Sequence, residues 1–182
     1  MPEPLPKPWT IEDFLAWEAQ QEERYEFIDG RIIGMVGGTV AHTIIKSNVY
    51  GALRDKLKGK RCRALTEGLK VVTATGSHYP DATVTCADLS PGDDQLREPV
   101  VIVEVLSRTT ADRDRGAKWV NYQEVASLRH YVLVAQDRRR IDLFSRSGTR
   151  WTFEVVWPPQ SIDLPAIGIV LTFDEIYEDS GT

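Results

Sequence analysis

The stretch PVVIVEVL, Pro99–Leu106, is almost continuously apolar and carries a single charge, Glu104. A short run of this kind, rich in β-branched residues, reads as a central strand buried on both faces. The segment before it, Ala87–Arg97, is polar and contains Pro91-Gly92, which marks a loop. After it, helical spacing returns from about Arg113 to Val125, and Tyr131–Val134 is again apolar. A buried strand, a helix and a second buried strand place the chain in the α/β or α+β class. One curved, mixed central sheet flanked by helices is expected.

Farther out, Thr10 can cap a helix starting at Ile11, with Asp13 in a capping-box position and Ile11, Phe14, Leu15 and Trp17 as its apolar face. Arg24–Ile28 and Arg31–Val36 read as a hairpin turning at Asp29-Gly30. Gly37-Gly38 ends it. From Val40 to Lys58, Ala41, Ile44, Ile45, Val49, Ala52, Leu53 and Leu57 recur at helical spacing. Arg61–Thr66, Leu69–Thr73 and Pro80–Cys86 follow as strand candidates. Ile141–Ser145 and Trp151–Val156 are further strands after a charged turn, Asp137–Arg140. Phe173–Tyr177 is a closing helix.

At 182 residues the length suits one domain, with residues 1–9 as an extended, proline-rich lead-in. No apolar run approaches the roughly 20 residues that cross a bilayer. The N-terminus has no signal-peptide pattern. A cytoplasmic protein with no membrane partner is expected, its Cys62 and Cys86 reduced thiols without metal-ligand spacing. The formal net charge of −5 argues against a sequence-independent, high-affinity DNA coat protein. It leaves room for local basic contacts.

Glu104 is the most informative residue. A carboxylate in a buried strand costs several kcal/mol unless it is paired, protonated or bound to a cation. It is either salt-bridged to the following helix or part of a metal site. Asp81 follows Pro80 at the head of a strand on which Thr83 and Thr85 share its face. Alone it reads as a strand-start aspartate. Beside Glu104, it completes a pair of carboxylates able to hold a hard divalent cation through oxygen ligands. Asp114, Lys118 and Tyr122 stand at i, i+4 and i+8 along one helix face. Lys118 is either a solvated partner of Asp114 or an ammonium that offsets charge at a scissile phosphate. Glu26 is an outward hairpin charge or a third acid. His42 opens the long helix as a cap or hydrogen-bonding residue or, less readily, a metal ligand, and Asn48 reads as exposed.

Three basic clusters stand out. They are Arg54, Lys56, Lys58, Lys60, Arg61 and Arg63; Arg138, Arg139 and Arg140; and Arg108, Arg113 and Arg115. Charge runs are usually solvated surface. The third lies next to the proposed acids in sequence and is assigned to phosphate contact.

The blocks YEFIDG, GGTVAH, YPDATV, VVIVEVLSRTT, DRGAKWVNY and LRHYVLV, in this order between Thr10 and Phe173, resemble the Uma-two family of restriction-endonuclease-like proteins, within the PD-(D/E)XK nuclease superfamily. The resemblance implies a restriction-endonuclease-like core. It implies that Pro80-Asp81 is the PD element, with Asp81 a metal ligand, and that Glu104 is the acid of the second element. The superfamily's lysine would stand two residues after that acid, where this chain has Leu106. The resemblance implies that the basic role falls instead to the lysine of the next helix, Lys118. Glu26 resembles the family's early glutamate and His42 the histidine opening its first long helix.

The expected activity is Mg²⁺-dependent hydrolysis of a DNA phosphodiester, with Mn²⁺ as an alternative ion. Asp81, Glu104, Lys118 and Glu26 would be catalytic, and Arg108, Arg113, Arg115 and His42 would contact substrate. A homodimer is expected, because enzymes that cut both strands often pair. The rivals are an inactive nuclease fold that binds nucleic acid, motivated by Leu106, and a partner-binding module with no affinity for metal or nucleic acid.

Overall fold

The computed structural model describes residues 9–35, 37–107 and 111–182. The chain begins with α1 (Ile11–Glu18), β1 (Tyr25–Ile28), β2 (Arg31–Gly34) and α2 (Val40–Leu57). Then come β3 (Arg63–Thr66), β4 (Val71–Val72), β5 (Ser77–His78), β6 (Ala82–Thr85) and β7 (Pro99–Leu106). α3 (Ala111–Arg115) and α4 (Ala117–Gln123) lead to β8 (His130–Ala135), β9 (Ile141–Ser147) and β10 (Arg150–Val156). β11 (Ile162–Leu164), β12 (Ile169–Leu171) and α5 (Phe173–Tyr177) complete the order.

The central sheet has six strands in the order β10-β9-β8-β7-β6-β3. β7 pairs parallel with β8 and antiparallel with β6, so the sheet is mixed. Alternation along β7 divides the core in two. Val101, Val103 and Val105 pack on the side of α2, with Ile45, Val49, Leu53 and Leu57. Ile102 and Leu106 pack on the other side with Tyr122 of α4, Leu128, Tyr131 and Leu133. Glu104 shares that second face by its even position. This is how one residue in an apolar strand comes to meet α4.

Several elements have local causes visible in the residues. Thr10 and Asp13 form a reciprocal capping box at α1. Thr172 and Glu175 do the same at α5. The β1–β2 turn places Asp29 at φ 49° and Gly30 at φ 73°. Two left-handed residues suit a two-residue hairpin loop. Phe14 of α1 stacks on Phe27 of β1 with ring centroids 5.2 Å apart, which fastens the helix to this hairpin.

The structure departs from the sequence-based expectations in four places. Besides the central sheet there is a four-stranded sheet, β2-β1-β5-β4, and a two-stranded one, β11-β12. Two-residue and three-residue strands carry too little periodicity to stand out from loops. The helix expected from Arg113 to Val125 is broken at Gly116 into α3 and α4. A Cβ at Gly116 would lie 2.9 Å from the Asp112 carbonyl oxygen. Asn48 is not free: its Nδ2 donates to the carbonyls of Ile176 and Glu178, at 3.2 and 2.8 Å, and ties α2 to α5.

The fourth departure concerns the cysteines. Cys62 and Cys86, expected as separate thiols, form a disulfide. The β3–β6 register pairs Arg63 with Thr85, so the residues one step outward lie directly opposite each other. Among the described residues no helix is long and apolar enough to cross a membrane.

Candidate functional site

The β6–β7 register pairs Ala82 with Val103. One step back, Asp81 and Glu104 are cross-strand neighbours, a relation that sets Cβ atoms roughly 4.5–5.5 Å apart. Asp81 Oδ2 accepts the Val105 amide at 2.7 Å, and its Oδ1 lies 3.5 Å from His42 Nε2 at the start of α2. A Cβ on Gly38 would lie 2.6 Å from His42 Cδ2, so that glycine lets the imidazole rest against the backbone.

Lys118 is the centre of the cluster. Its Nζ lies 2.9 Å from Glu26 Oε1, 3.2 Å from Glu104 Oε1 and 3.3 Å from Asp114 Oδ1. Tyr122 Oη donates to the same Glu104 Oε1 at 3.0 Å. Glu26 also accepts the Tyr79 amide at 3.1 Å. Glu26, Glu104, Asp114 and Lys118 are all buried, while Asp81 and His42 keep some exposure at the edge. Four carboxyl groups thus surround one ammonium and one imidazole.

The electrostatics follow from this crowding. Burial opposes the charge on Lys118, but Glu104, Glu26 and Asp114 outweigh it and raise its pKa, so it stays an ammonium. Burial pushes the Glu104 carboxyl well above the ordinary value. Lys118 pulls against that shift, and Asp114, Asp81 and Glu26 add to it. Burial, then the neighbouring Glu104 charge, raises the Tyr122 phenol, which therefore remains a donor.

Each residue expected at the site has a definite place. Asp81, Glu104, Glu26, Lys118 and His42 come together. Glu104 is in fact salt-bridged to the following helix, and Glu26 points inward rather than out. Leu106 is buried in the apolar layer under α4, and the ammonium reaches Glu104 from the helix. Arg115 turns away: its guanidinium pairs with buried Asp142 at 3.1 Å, and Arg140 pairs with the same carboxylate at 2.7 Å. Arg113 lies on α3, and Arg108 falls outside the described residues.

Among the described residues, no three His, Cys, Asp or Glu side chains are gathered in the geometry of a metal site. Three of the carboxylates point at Lys118 instead. The donor set nevertheless suits a hard cation. It offers carboxylate oxygens in excess of the cations that offset them, with the Asp81 side of the cluster partly open.

A model described as "Putative restriction endonuclease", Uma2, matches residues 11–174. The chain belongs to the Uma2 family. "Uncharacterized protein slr1290" of Synechocystis sp. is 32% identical over 178 residues, covering 96% of this chain and 93% of the relative. "Uncharacterized protein sll1609" of the same organism is 26% identical over 146 residues, covering 78% and 82%. A crystal structure from Anabaena variabilis, titled a "putative nuclease belonging to DUF820", superposes with a TM-score of 0.77 at 20% identity. It covers 93% of this Uma2 chain and 98% of its own, and shares its fold.

Sequence reasoning missed the layer behind Lys118 in this Uma2 chain. His78 Nε2 meets Asn121 Oδ1 at 2.9 Å, and Asn121 Nδ2 donates to Thr75 Oγ1 at 2.7 Å. The His78 ring packs edge-on to Tyr122 with centroids 5.0 Å apart. A Cβ at Gly76 would lie 2.6 Å from His78 Nε2. The glycine was the available signal, but it sits beside a two-residue strand with no readable pattern.

Burial, then the nearby Lys118 charge, holds the His78 pKa down to about 4. The unfolded chain therefore binds a proton near pH 6.5 that the folded chain refuses until about pH 4. Stability from this group is present above pH 6.5 and lost as the pH falls toward 4, by about 3 kcal/mol. Urea unfolding at pH 7 and pH 4 is expected to show a smaller pH difference in His78→Gln than in wild type. An unchanged difference would show that His78 is not buried as a neutral ring.

Proposed function

We propose that this Uma2 protein is a DNA nuclease that hydrolyses phosphodiester bonds with the help of a divalent cation, Mg²⁺ or Mn²⁺. One observation carries the reading: among the described residues, three buried carboxylates, Glu26, Glu104 and Asp114, surround the single ammonium of Lys118, with the Asp81 carboxylate beside Glu104 on the adjacent strand. Buried charge of one sign is costly unless it is offset. A hard cation held by Asp81 and Glu104, with Glu26 nearby, would offset it.

When bound, such an ion would polarise a phosphoryl oxygen and lower the pKa of a water. The chain's own groups do the rest. His42 orients the Asp81 carboxylate from α2, and the Val105 amide holds its other oxygen. Tyr122 and Lys118 fix Glu104, and Lys118 offsets negative charge that develops on the phosphate. Arg108 and Arg113 would contact the flanking phosphates. Arg115, tied to Asp142, has no such part here. A cytoplasmic location and a paired assembly belong to the same proposal.

A second reading is favoured by the position of Lys118. Its ammonium already neutralises part of the acidic cluster, as it would in a fold that binds nucleic acid without cutting it. Plasmid nicking separates the two. Wild-type protein with Mg²⁺ or Mn²⁺ is expected to convert supercoiled plasmid to the nicked form, and Asp81→Ala and Glu104→Ala are expected not to. No nicking by wild type with either ion, or equal nicking by the variants, would overturn the nuclease reading.

A further inference from the structure

The three basic clusters of the sequence differ once their partners are known. Arg138 pairs with Asp137, Arg139 with Asp174, and Arg140 with Asp142. Arg115 also takes Asp142. In the run RDKLKGKRCR, residues 54–63, Lys56 pairs with Glu175 and Lys60 reaches the Gly168 carbonyl. Arg54, Lys58, Arg61 and Arg63 are exposed, and none meets a carboxylate among the described residues.

These cations are also shaped. Arg54, Lys58 and Arg63 line a concavity of about 370 Å³ with Tyr50, Gly59 and Cys62, between the end of α2 and the start of β3. Among the described residues, Asp55 is the only acid lining it. A helix C-terminus accounts for about half a unit of compensating charge within its last turn. Lys58, Arg61 and Arg63 lie beyond that turn, and their number exceeds the need. In a chain of net charge −5, unpaired positive charge concentrated at one place calls for an anionic partner.

The position fits a polynucleotide. β3 and β6 run between this patch and the acidic cluster: Arg63 pairs with Thr85 at one end and Thr66 with Ala82, next to Asp81, at the other. At about 3.4 Å per residue, Asp81 and Cys86 lie roughly 17 Å apart. That equals about five base-pair steps of duplex DNA. On α2, His42, Lys46, Tyr50 and Arg54 follow at four-residue steps, a row in which each residue neighbours the next, and Lys58 caps the end of the helix. None of the five is buried.

We infer that Arg54, Lys58 and Arg63 form a phosphate-backbone site for duplex DNA, about five base pairs from the phosphate at the acidic cluster. The inference rests on the nuclease reading for its substrate, and its test does not depend on cleavage. Binding of a fluorescent 20-base-pair duplex is measured in EDTA across a range of salt concentrations. In the triple variant Arg54→Gln/Lys58→Gln/Arg63→Gln, the salt slope is expected to fall by about 2–3, near 0.9 for each phosphate no longer neutralised. Affinity is expected to drop at least about tenfold. Each single variant should lower the slope by about one. The control Arg138→Ala/Arg150→Ala should stay within about twofold of wild type.

Wild-type protein that does not bind the duplex, or a triple variant with the wild-type slope and affinity, overturns the site. So does a control variant that weakens binding as much as the triple variant. A protein that binds through the patch and never nicks plasmid sinks the nuclease reading alone.

Discussion

Lys118→Ala is expected to lose about 3–5 kcal/mol of stability, the cost of removing one partner from a buried ion pair. The effect should sit at the high end. The side chain is buried, and its ammonium contacts three carboxylates, Glu26, Glu104 and Asp114. Without it they face one another with no cation between them. The loss should shrink as the pH is lowered, because Glu104 already has a raised pKa and neutralises first. Urea unfolding at pH 7 and pH 5 measures both effects. A loss below about 1 kcal/mol at pH 7 would place Lys118 at the solvated surface instead. Added Mg²⁺ should recover more stability in the variant than in wild type, since only an ion bound to the folded state stabilises it.

Glu104→Gln is expected to separate stability from activity. Removing one partner normally strands the other, but Lys118 keeps Glu26 and Asp114. The amide oxygen can still accept the Tyr122 hydroxyl bond. The sign of the pH effect favours the variant. The folded-state pKa of Glu104 is raised by burial, with Asp114, Asp81 and Glu26 opposing Lys118. Its contribution is therefore fully present below the ordinary value of 4.5 and lost as the pH rises through the raised one. At neutral pH the glutamine variant should match or exceed wild type, within about 1 kcal/mol. Nicking should fall at least about 100-fold, because the ion's charge stabilisation is worth several kcal/mol. A stable variant that still nicks at the wild-type rate would remove Glu104 from the chemistry.

Much of this was readable from the residues. β7 follows from an eight-residue run that is apolar except at Glu104, and α2 from eighteen residues at helical spacing, because long patterns leave few alternatives. Glu104 stood out because burial makes a lone charge conspicuous, and its strand neighbour Asp81 followed. Other features depend on tertiary placement. His78 and Asn121 meet across 43 residues with no periodic signal on either side. Asp142 looks like any strand residue, yet it claims Arg115 and Arg140. The broken helix keeps Asp114 and Lys118 in contact across Gly116, so the i, i+4 spacing gave the right pair from a helix that is not continuous.

The Cys62–Cys86 bond bears on how the margins of the central sheet are protected. An outermost strand offers unpaired amides and carbonyls to any other chain, and this makes sheet edges starting points for aggregation. β3 is such an edge, only four residues long. The covalent staple keeps it from peeling off β6 and baring the next strand. The opposite edge, β10, has no staple and instead carries exposed Arg150 and Glu154, charges of the kind that deter a foreign strand. The two margins of one sheet are thus guarded by different chemistry, and only the β3 margin is sensitive to a reductant.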